Sequence, residues 1–341
     1  MTGHKVTTGT RPARGLACGV PAPFDDPRID PRIDSLRQRA RIIRALRAEL
    51  DGRGFVEVQT PVLVPGTCPD RAIASFEVPG AGYLVSSTEY QLKRLFAEGL
   101  PAAYTLGPNF RAGDLGERHN PEFTMLEWGR SGANMREVEA EAEAMVRRAG
   151  EAVARPVRGA FRRVSVRDAL RGAFGRDVQD WDALVSIPGP FAAGGRGDAG
   201  RDCGDDDAHL SWLIDEALRS IDPERPTWIV GWPASMTTSA GLDPRDPSTT
   251  LRSELYWQGV ELSDGFPFSS DAAWQRQRST AENAGRVATG LQPVALDERF
   301  LTAVADLPAG AGMAMGVDRL CLALFGKQRL GEVMAFTWGE R

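Results

Sequence analysis

Residues 110–129 constrain the possible folds of this chain more than any other stretch. They place a charged loop between two extended segments. Residues 103–110 mix apolar and small residues, and residues 122–128 are aromatic and apolar, as β-strands usually are. Two strands joined by a polar loop predict a long antiparallel hairpin.

The side chains of this hairpin suit a nucleotide triphosphate. Side chains two apart on a strand share a face, so Arg111, Phe123 and Glu127 are expected to converge across the hairpin. The loop adds two acids, an arginine and a histidine, which are Asp114, Glu117, Arg118 and His119. From chemistry alone, a solvated hairpin tip and a triphosphate site both remain open.

Composition excludes several other classes of protein. The 341 residues are 42% hydrophobic, enough for one large domain or two smaller ones. The net charge of −5 gives no general attraction to RNA or to anionic membranes. Four separated cysteines indicate reduced thiols and a cytoplasmic location, and no apolar run approaches the roughly 20 residues that span a bilayer.

Two segments are expected to be mobile. Residues 1–24 carry basic side chains, no acids and little apolar periodicity, which predicts a flexible basic tail. Residues 194–207 are dense in Gly and Asp and predict a mobile insertion. The catalytic domain is therefore expected over residues 25–341. Within it, Ser35 is expected to cap a helix that ends near Gly52, followed by a short strand.

Glu89 follows a short extended segment and precedes an apolar helix. A carboxylate in such a turn can pair with an ammonium group at a pocket rim. It can equally be an acid stabilised by the dipole at a helix N-terminus.

A second predicted hairpin turns at Gln258-Gly259. A two-residue turn would pair Trp257 with Val260, so that Glu254 and Glu261 share one face. Two carboxylates so placed repel each other unless a cation lies between them, which favours Mg²⁺ bridging triphosphate oxygens. Residues 310–319 are glycine-rich and end in Arg319, which opens an apolar helix and needs an anionic partner.

These motifs resemble the catalytic core of class II lysyl-tRNA synthetases. Motif 2 of that family has the form FR…HNPEFTMLEW, motif 3 is similar to GVDR at residues 316–319, and the helix and strand before Pro61 are similar to motif 1. The chain most closely resembles the stand-alone elongation factor P lysine ligases of bacteria, which have a similar ending at residues 330–336. The resemblance implies an α+β fold in which helices flank an antiparallel sheet, and a homodimer. It also implies no anticodon-binding domain and no tRNA partner.

The resemblance implies roles for individual residues. Arg111 would hold the α-phosphate and the substrate carboxyl group, and Phe123 would stack on adenine opposite Arg319, which would also bind the γ-phosphate. Arg118 and His119 would approach the outer phosphates, and Glu254 and Glu261 would hold magnesium. ATP and Mg²⁺ are thus the implied cofactors, and an enzyme-bound aminoacyl adenylate is the implied product.

The expected substrate pocket departs from the family pattern. Asp264 and Phe268 replace an amide and an acid, and Gly129 replaces a tyrosine, while Glu89 and Glu127 remain. Ala112-Gly113 replaces a pair that contains an adenine-contacting glutamate, for which Asp114 or Glu117 could substitute. Loss of one acid and one hydroxyl disfavours lysine, because each hydrogen bond to a charged group contributes about 1.5 to 3 kcal/mol. We expect a larger or more apolar substrate that fills the space opened by Gly129 and contacts Phe268.

Three functions follow as hypotheses. The first is an ATP-dependent ligase that activates an amino acid or β-amino acid other than lysine and transfers it to a protein or small-molecule acceptor. The second is a true elongation factor P ligase for lysine or (R)-β-lysine. The third is a catalytically inactive binding module, because Gly113 and Asp264 stand at positions that the family fixes.

Overall fold

The computed structural model describes residues 30–175, 181, 184, 187, 206–237 and 239–340. The tail predicted at 1–24 lies outside these residues. The predicted insertion at 194–207 also lies outside them, except that its last two residues begin a helix.

Thirteen strands and eight α-helices make up the described fold. The strands are β1 (Val56–Glu57), β2 (Leu63–Val64), β3 (Glu77–Val78), β4 (Gly82–Leu84), β5 (Ala102–Phe110), β6 (Glu122–Ser131), β7 (Arg162–Ser165), β8 (Thr227–Val230), β9 (Leu242–Asp243), β10 (Asp246–Thr250), β11 (Ser253–Trp257), β12 (Val260–Pro267) and β13 (Gly310–Gly316). The helices are α1 (Pro31–Gly52), α2 (Glu89–Ala97), α3 (Met135–Ala152), α4 (Val166–Phe174), α5 (Asp206–Arg219), α6 (Ala272–Ala288), α7 (Glu298–Ala303) and α8 (Val317–Phe325).

An eight-stranded sheet organises the molecule, in the order β1-β5-β6-β13-β12-β11-β8-β7. Its inner neighbours are antiparallel. The edge pairs β1–β5 and β7–β8 are parallel. The predicted α+β class with an antiparallel sheet and flanking helices is therefore confirmed, with parallel pairs added at both edges.

Both predicted hairpins are present. In the first, Phe110 pairs with Glu122 and Asn109 pairs with Phe123. In the second, Trp257 pairs with Val260, as the two-residue turn predicts. Gln258 and Gly259 both have positive φ, which is typical of such turns.

Helix α1 begins one turn before the predicted start. The Asp30 carboxylate accepts a hydrogen bond from the Arg32 backbone N–H at 2.7 Å, and proline occupies the first helical position. The predicted cap, Ser35, lies inside the helix and donates to the Pro31 carbonyl at 3.0 Å. Asp30 therefore caps α1, and the predicted cap at Ser35 is wrong.

The main core lies between the sheet and helices α1, α3 and α8, and includes Leu46, Trp128, Met145 and Leu320. A second core joins α4 and α5 to strand β8 through residues such as Leu170 and Leu213. No helix among the described residues combines the length and the apolar character needed to cross a membrane.

Candidate active site

A cavity of about 710 Å³ lies on the sheet beside the loop that joins β5 and β6. Most of the predicted site residues line it. These are Glu89, Arg111, Asp114, Arg118, His119, Phe123, Glu127, Glu261, Asp264, Phe268 and Arg319. Gly129, Glu117 and Glu254 are not in its wall.

Arg111 stands at the end of β5 with an unsatisfied donor. Its backbone N–H donates to the Pro121 carbonyl at 2.9 Å, which fixes the base of the loop. Its guanidinium carbon lies 5.1 Å from the ring centre of Phe123. Its Nε is buried and has no hydrogen-bond partner among the described residues. A buried cationic donor is costly without an acceptor, so this position suits an anion.

Arg319, in the first turn of α8, contacts two predicted site residues. Its Nη1 donates to the Glu261 carboxylate at 3.2 Å, and its Nη2 lies 2.9 Å from Nε2 of His119. Partial burial and the guanidinium charge lower the pKa of His119, so the neutral ring accepts this hydrogen bond. The structure therefore brings together a guanidinium, an imidazole and a carboxylate from three separate segments.

The other predicted site residues of the loop between β5 and β6 differ in whether they face the cavity. Arg118 donates to the Gly259 carbonyl at 2.9 Å and also bonds Gln328, so it ties the loop to the second hairpin. Asp114 lines the cavity. Glu117 is exposed and lies outside the cavity wall, where its backbone carbonyl accepts from the Leu330 N–H at 2.8 Å. Of the two acids expected to replace the missing glutamate, only Asp114 lines the cavity.

The predicted metal pair lies on one face of the β11–β12 hairpin. Glu261 pairs with Tyr256, and Glu254 pairs with Asp264 after a register shift. Burial raises the pKa of Glu254 well above its ordinary value, and the nearby charge of Glu261 raises it further. No group of three or more His, Cys, Asp or Glu side chains in the described part of the chain could hold a metal. A Mg²⁺ ion here would take one or two carboxylates and complete its shell with phosphate oxygens and water, which is its usual mode of binding.

Arg252, which no sequence motif indicated, connects the predicted metal pair to the predicted substrate pocket. Its guanidinium lies 2.5 Å from the Glu254 carboxylate and 2.9 Å from the Asp264 carboxylate. Asp264 is therefore stabilised by an internal cation. The sequence does contain a signal for this contact. Arg252 stands two residues before Glu254, and residues two apart on a strand share a face.

Glu89 is both a helix N-terminal acid and a cavity residue. It begins α2, and its Oε1 lies 2.6 Å from Nζ of Lys93, one turn along the helix. Lys93 is only 4% exposed and lies over the ring of Phe266 at 5.1 Å. The two interpretations of Glu89, as an acid at the pocket rim and as an acid at a helix N-terminus, are therefore compatible. Its ion-pair partner, however, is a lysine of the chain itself.

Glu127 lies deep in the cavity on β6 and is 4% exposed. It accepts hydrogen bonds from the Thr88 N–H at 2.7 Å and from the Ser87 hydroxyl at 2.9 Å. Burial raises the pKa of Glu127 to about 7, against the opposing effect of these two donors. In contrast to Glu89 and Asp264, it pairs with no cation among the described residues.

The expected empty space beside Gly129 does not exist. The ring of Phe268 and the ring of Phe96 fill it, with their centres 5.3 Å apart and their planes nearly parallel. A Cβ atom at residue 129 would lie 2.8 Å from Phe96 and 2.9 Å from Phe268. The expectation of a substrate group in this space was wrong, because the glycine accommodates the chain's own aromatic ring.

Comparison with known proteins agrees with the motifs. A family model described as tRNA synthetases class II (D, K and N) matches residues 28–338. The elongation factor P–(R)-β-lysine ligase of Proteus mirabilis is 34% identical over 320 residues, covering 89% of this chain and 95% of that protein. The ligase of the same name from Klebsiella pneumoniae (strain 342) is 33% identical, covering 89% and 95%. The one from Vibrio cholerae is 32% identical, covering 90% and 96%.

Proposed function

The chain belongs to the class II tRNA synthetase family (D, K and N) and is an ATP-dependent amino-acid ligase, and from that premise we propose its reaction. It activates an amino acid or β-amino acid other than lysine as an aminoacyl adenylate. It then transfers the acyl group to an acceptor that is not a tRNA, either a protein or a small molecule. We further propose that it acts as a cytoplasmic homodimer with a catalytic domain over residues 25–341.

One observation carries the proposal. The buried Nε of Arg111 has no partner among the described residues, and it lies in the same cavity wall as Arg319 and His119. Such a donor is satisfied when an anionic oxygen enters the cavity. The ring of Phe123 provides a flat apolar surface nearby for a base.

The chemistry requires alignment more than proton transfer. Arg111 would hold the α-phosphate and the substrate carboxylate together, so that the carboxylate oxygen attacks the phosphorus in line with the departing pyrophosphate. Arg319, His119 and Arg118 would neutralise the charge on the leaving group. Glu254 and Glu261 are the residues that would hold Mg²⁺, which would stabilise negative charge on the phosphates.

The substrate amine would bind at Glu127, which is buried and has no cationic partner among the described residues. Glu89 lies in the same wall but already pairs with Lys93 at 2.6 Å. Asp264, paired with Arg252, stands where the family pattern has an amide. These contacts support a substrate other than lysine.

Amino-acid-dependent exchange of pyrophosphate into ATP tests the proposal, using a panel of α- and β-amino acids. We expect exchange with at least one acid, and a loss of at least about 100-fold in Arg111→Ala and Glu261→Ala. Arg299→Ala, which removes an exposed arginine on α7, is the matched control and should exchange normally. ATP binding without exchange for any acid would instead indicate an inactive binding module.

The relatives favour a second candidate, ligation of (R)-β-lysine or lysine to elongation factor P. The full-length chain, incubated with ATP, the factor and each amino acid, would then add one lysyl mass to the factor. If the factor shows no mass change while pyrophosphate exchange proceeds with another acid, this second candidate is rejected.

A further inference from the structure

Phe268 lies in a cradle made of glycines. A Cβ atom at Gly129 would lie 2.9 Å from its ring, one at Gly310 would lie 2.8 Å away, and one at Gly312 would lie 3.1 Å away. Cβ atoms essentially never approach other atoms to less than 3.0 Å, so a side chain at Gly129 or Gly310 would displace the ring, and one at Gly312 would press against it. The Phe268 N–H also donates to the Gly310 carbonyl at 2.8 Å, which fixes the backbone below the ring.

The ring completes an apolar wall at one end of the cavity. Phe96 stacks on Phe268 and is 2% exposed. The Lys93 ammonium lies 5.1 Å from the Phe266 ring and 5.8 Å from the Phe268 ring. Leu92 and Met313 also line the cavity. Aromatic rings therefore lie beside the Lys93 ammonium, a cation that belongs to the chain itself.

The charges at this end leave one carboxylate for a substrate. Glu89 pairs with Lys93 at 2.6 Å, and Asp264 pairs with Arg252 at 2.9 Å. Of the three acids that line this end, only Glu127 lacks a cationic partner among the described residues. A substrate with one ammonium group can be matched there. A second ammonium group would meet aromatic rings and lose its hydration without a paired acid, which is costly.

We infer that Phe268, seated on Gly129, Gly310 and Gly312, selects an amino acid with a single ammonium group and an uncharged, apolar side chain. This inference rests on the proposed function and narrows its substrate class. The apolar side chain contacts the Phe268 and Phe96 rings, and the amine binds Glu127. The side chain must also be compact, because the rings already fill the volume beside Gly129.

Equilibrium binding to the full-length chain tests this without requiring turnover. Isothermal titration with leucine, phenylalanine, their β-amino counterparts, lysine and ornithine would be run with α,β-methylene-ATP, which cannot release pyrophosphate. We expect at least one apolar acid to bind at least about 10-fold more tightly than lysine or ornithine. Tighter binding of lysine or ornithine, or no binding of any apolar acid, overturns the inference.

Three variants at one position separate charge from shape. Phe268→Glu should shift the affinity ratio of lysine to the apolar acid by at least about 10-fold toward lysine. Phe268→Gln should weaken the apolar acid without favouring lysine, and Phe268→Leu should keep the wild-type preference. Phe336→Glu makes the same chemical change at an exposed phenylalanine outside the cavity wall and should leave the ratio unchanged. An unchanged ratio in Phe268→Glu overturns the inference.

The two proposals fail in different ways. If an apolar acid binds preferentially but supports no pyrophosphate exchange, adenylate formation is rejected while the pocket selectivity stands. If lysine binds best and supports exchange, the ligase activity stands while the selectivity is rejected.

Discussion

Arg319 donates a hydrogen bond to His119, with Nη2 lying 2.9 Å from Nε2, and so holds the imidazole in its neutral form. Partial burial lowers the pKa of His119, and the charge of Arg319 lowers it further. An NMR titration should therefore give a His119 midpoint below the ordinary value of about 6.5. In Arg319→Met the midpoint should rise, because the guanidinium charge is lost while Asp114 and Glu261, which raise the pKa of His119, remain.

The lowered pKa of His119 also makes the stability of the folded protein depend on pH. As pH falls, the unfolded chain protonates this histidine before the folded chain does. The contribution of neutral His119 is therefore complete above about pH 6.5 and is lost as pH falls through the lowered pKa. Arg299→Met, on the exposed face of α7, is the control. A midpoint unchanged between Arg319→Met and the wild type would contradict the pairing.

Glu127 should make the protein less stable at higher pH. Burial raises its pKa from 4.5 to about 7, so its contribution is fully present below 4.5 and is lost as pH rises through about 7. Between pH 5 and pH 8 this loss amounts to about 2.5 kcal/mol. In Glu127→Gln the fall over that interval should be smaller by about this amount, as measured by urea unfolding.

Glu98→Gln provides the matched control, because Glu98 is exposed just after α2. Its unfolding free energy should follow the wild-type dependence on pH. Identical dependence in Glu127→Gln and the wild type would show that residue 127 titrates at an ordinary carboxylate pKa.

Gly129→Ala should destabilise the fold by about 1 to 3 kcal/mol through overpacking against Phe96 and Phe268. Phe268→Ala should remove part of this cost, giving a coupling energy of about 0.5 kcal/mol or more in a double-mutant cycle. Thermal and urea unfolding measure both quantities. A Cβ atom at Gly107, on the neighbouring strand β5, would have no other atom within 4 Å. Gly107→Ala should therefore not lower the free energy of unfolding. Additive free energies would contradict direct contact.

Asp318→Asn should weaken the junction of three elements. Its carboxylate accepts from the Thr124 N–H on β6 at 2.7 Å and from Arg39 on α1 at 2.9 Å, and it is 3% exposed. Loss of this charge should cost about 2 to 4 kcal/mol of unfolding free energy. Asp306→Asn, at an exposed aspartate, should cost less than about 0.5 kcal/mol. Equal stability of the two variants would rule out a structural role for the junction.

The sequence predicted those parts of the fold that depend on local rules. The turn at Gln258-Gly259 determines the pairing of Trp257 with Val260. The capping box of α3, formed by Asn134 and Glu137, also depends only on residues close in sequence. Strand β13 was not predicted, because Gly310–Gly316 consists of small residues whose strand conformation comes from two neighbouring strands. Likewise, the short strand Arg162–Ser165 depends on a distant partner, because it pairs with β8 at the sheet edge.

The candidate site was likewise predicted only in part from the sequence. The motifs predicted which residues line the cavity at the end proposed to bind phosphate, with Arg111, His119 and Arg319 in its wall. It did not predict that Lys93 and Arg252 pair with Glu89 and Asp264, since such pairs depend on side-chain positions across the cavity. Nor did it predict that Phe268 fills the volume over Gly129, because packing between distant segments leaves no periodic pattern.

The glycine cradle also restricts the order in which this site can change during evolution. While rings stand at residues 96 and 268, a side chain at residue 129 is overpacked, because its Cβ atom would lie 2.8 Å from Phe96 and 2.9 Å from Phe268. A mutational path toward a larger residue 129 is therefore least costly when the residues at 96 and 268 become smaller first. In the opposite direction, a ring at residue 268 packs without this cost only after residue 129 has become glycine, so the least costly intermediates on either path contain a cavity beside residue 129.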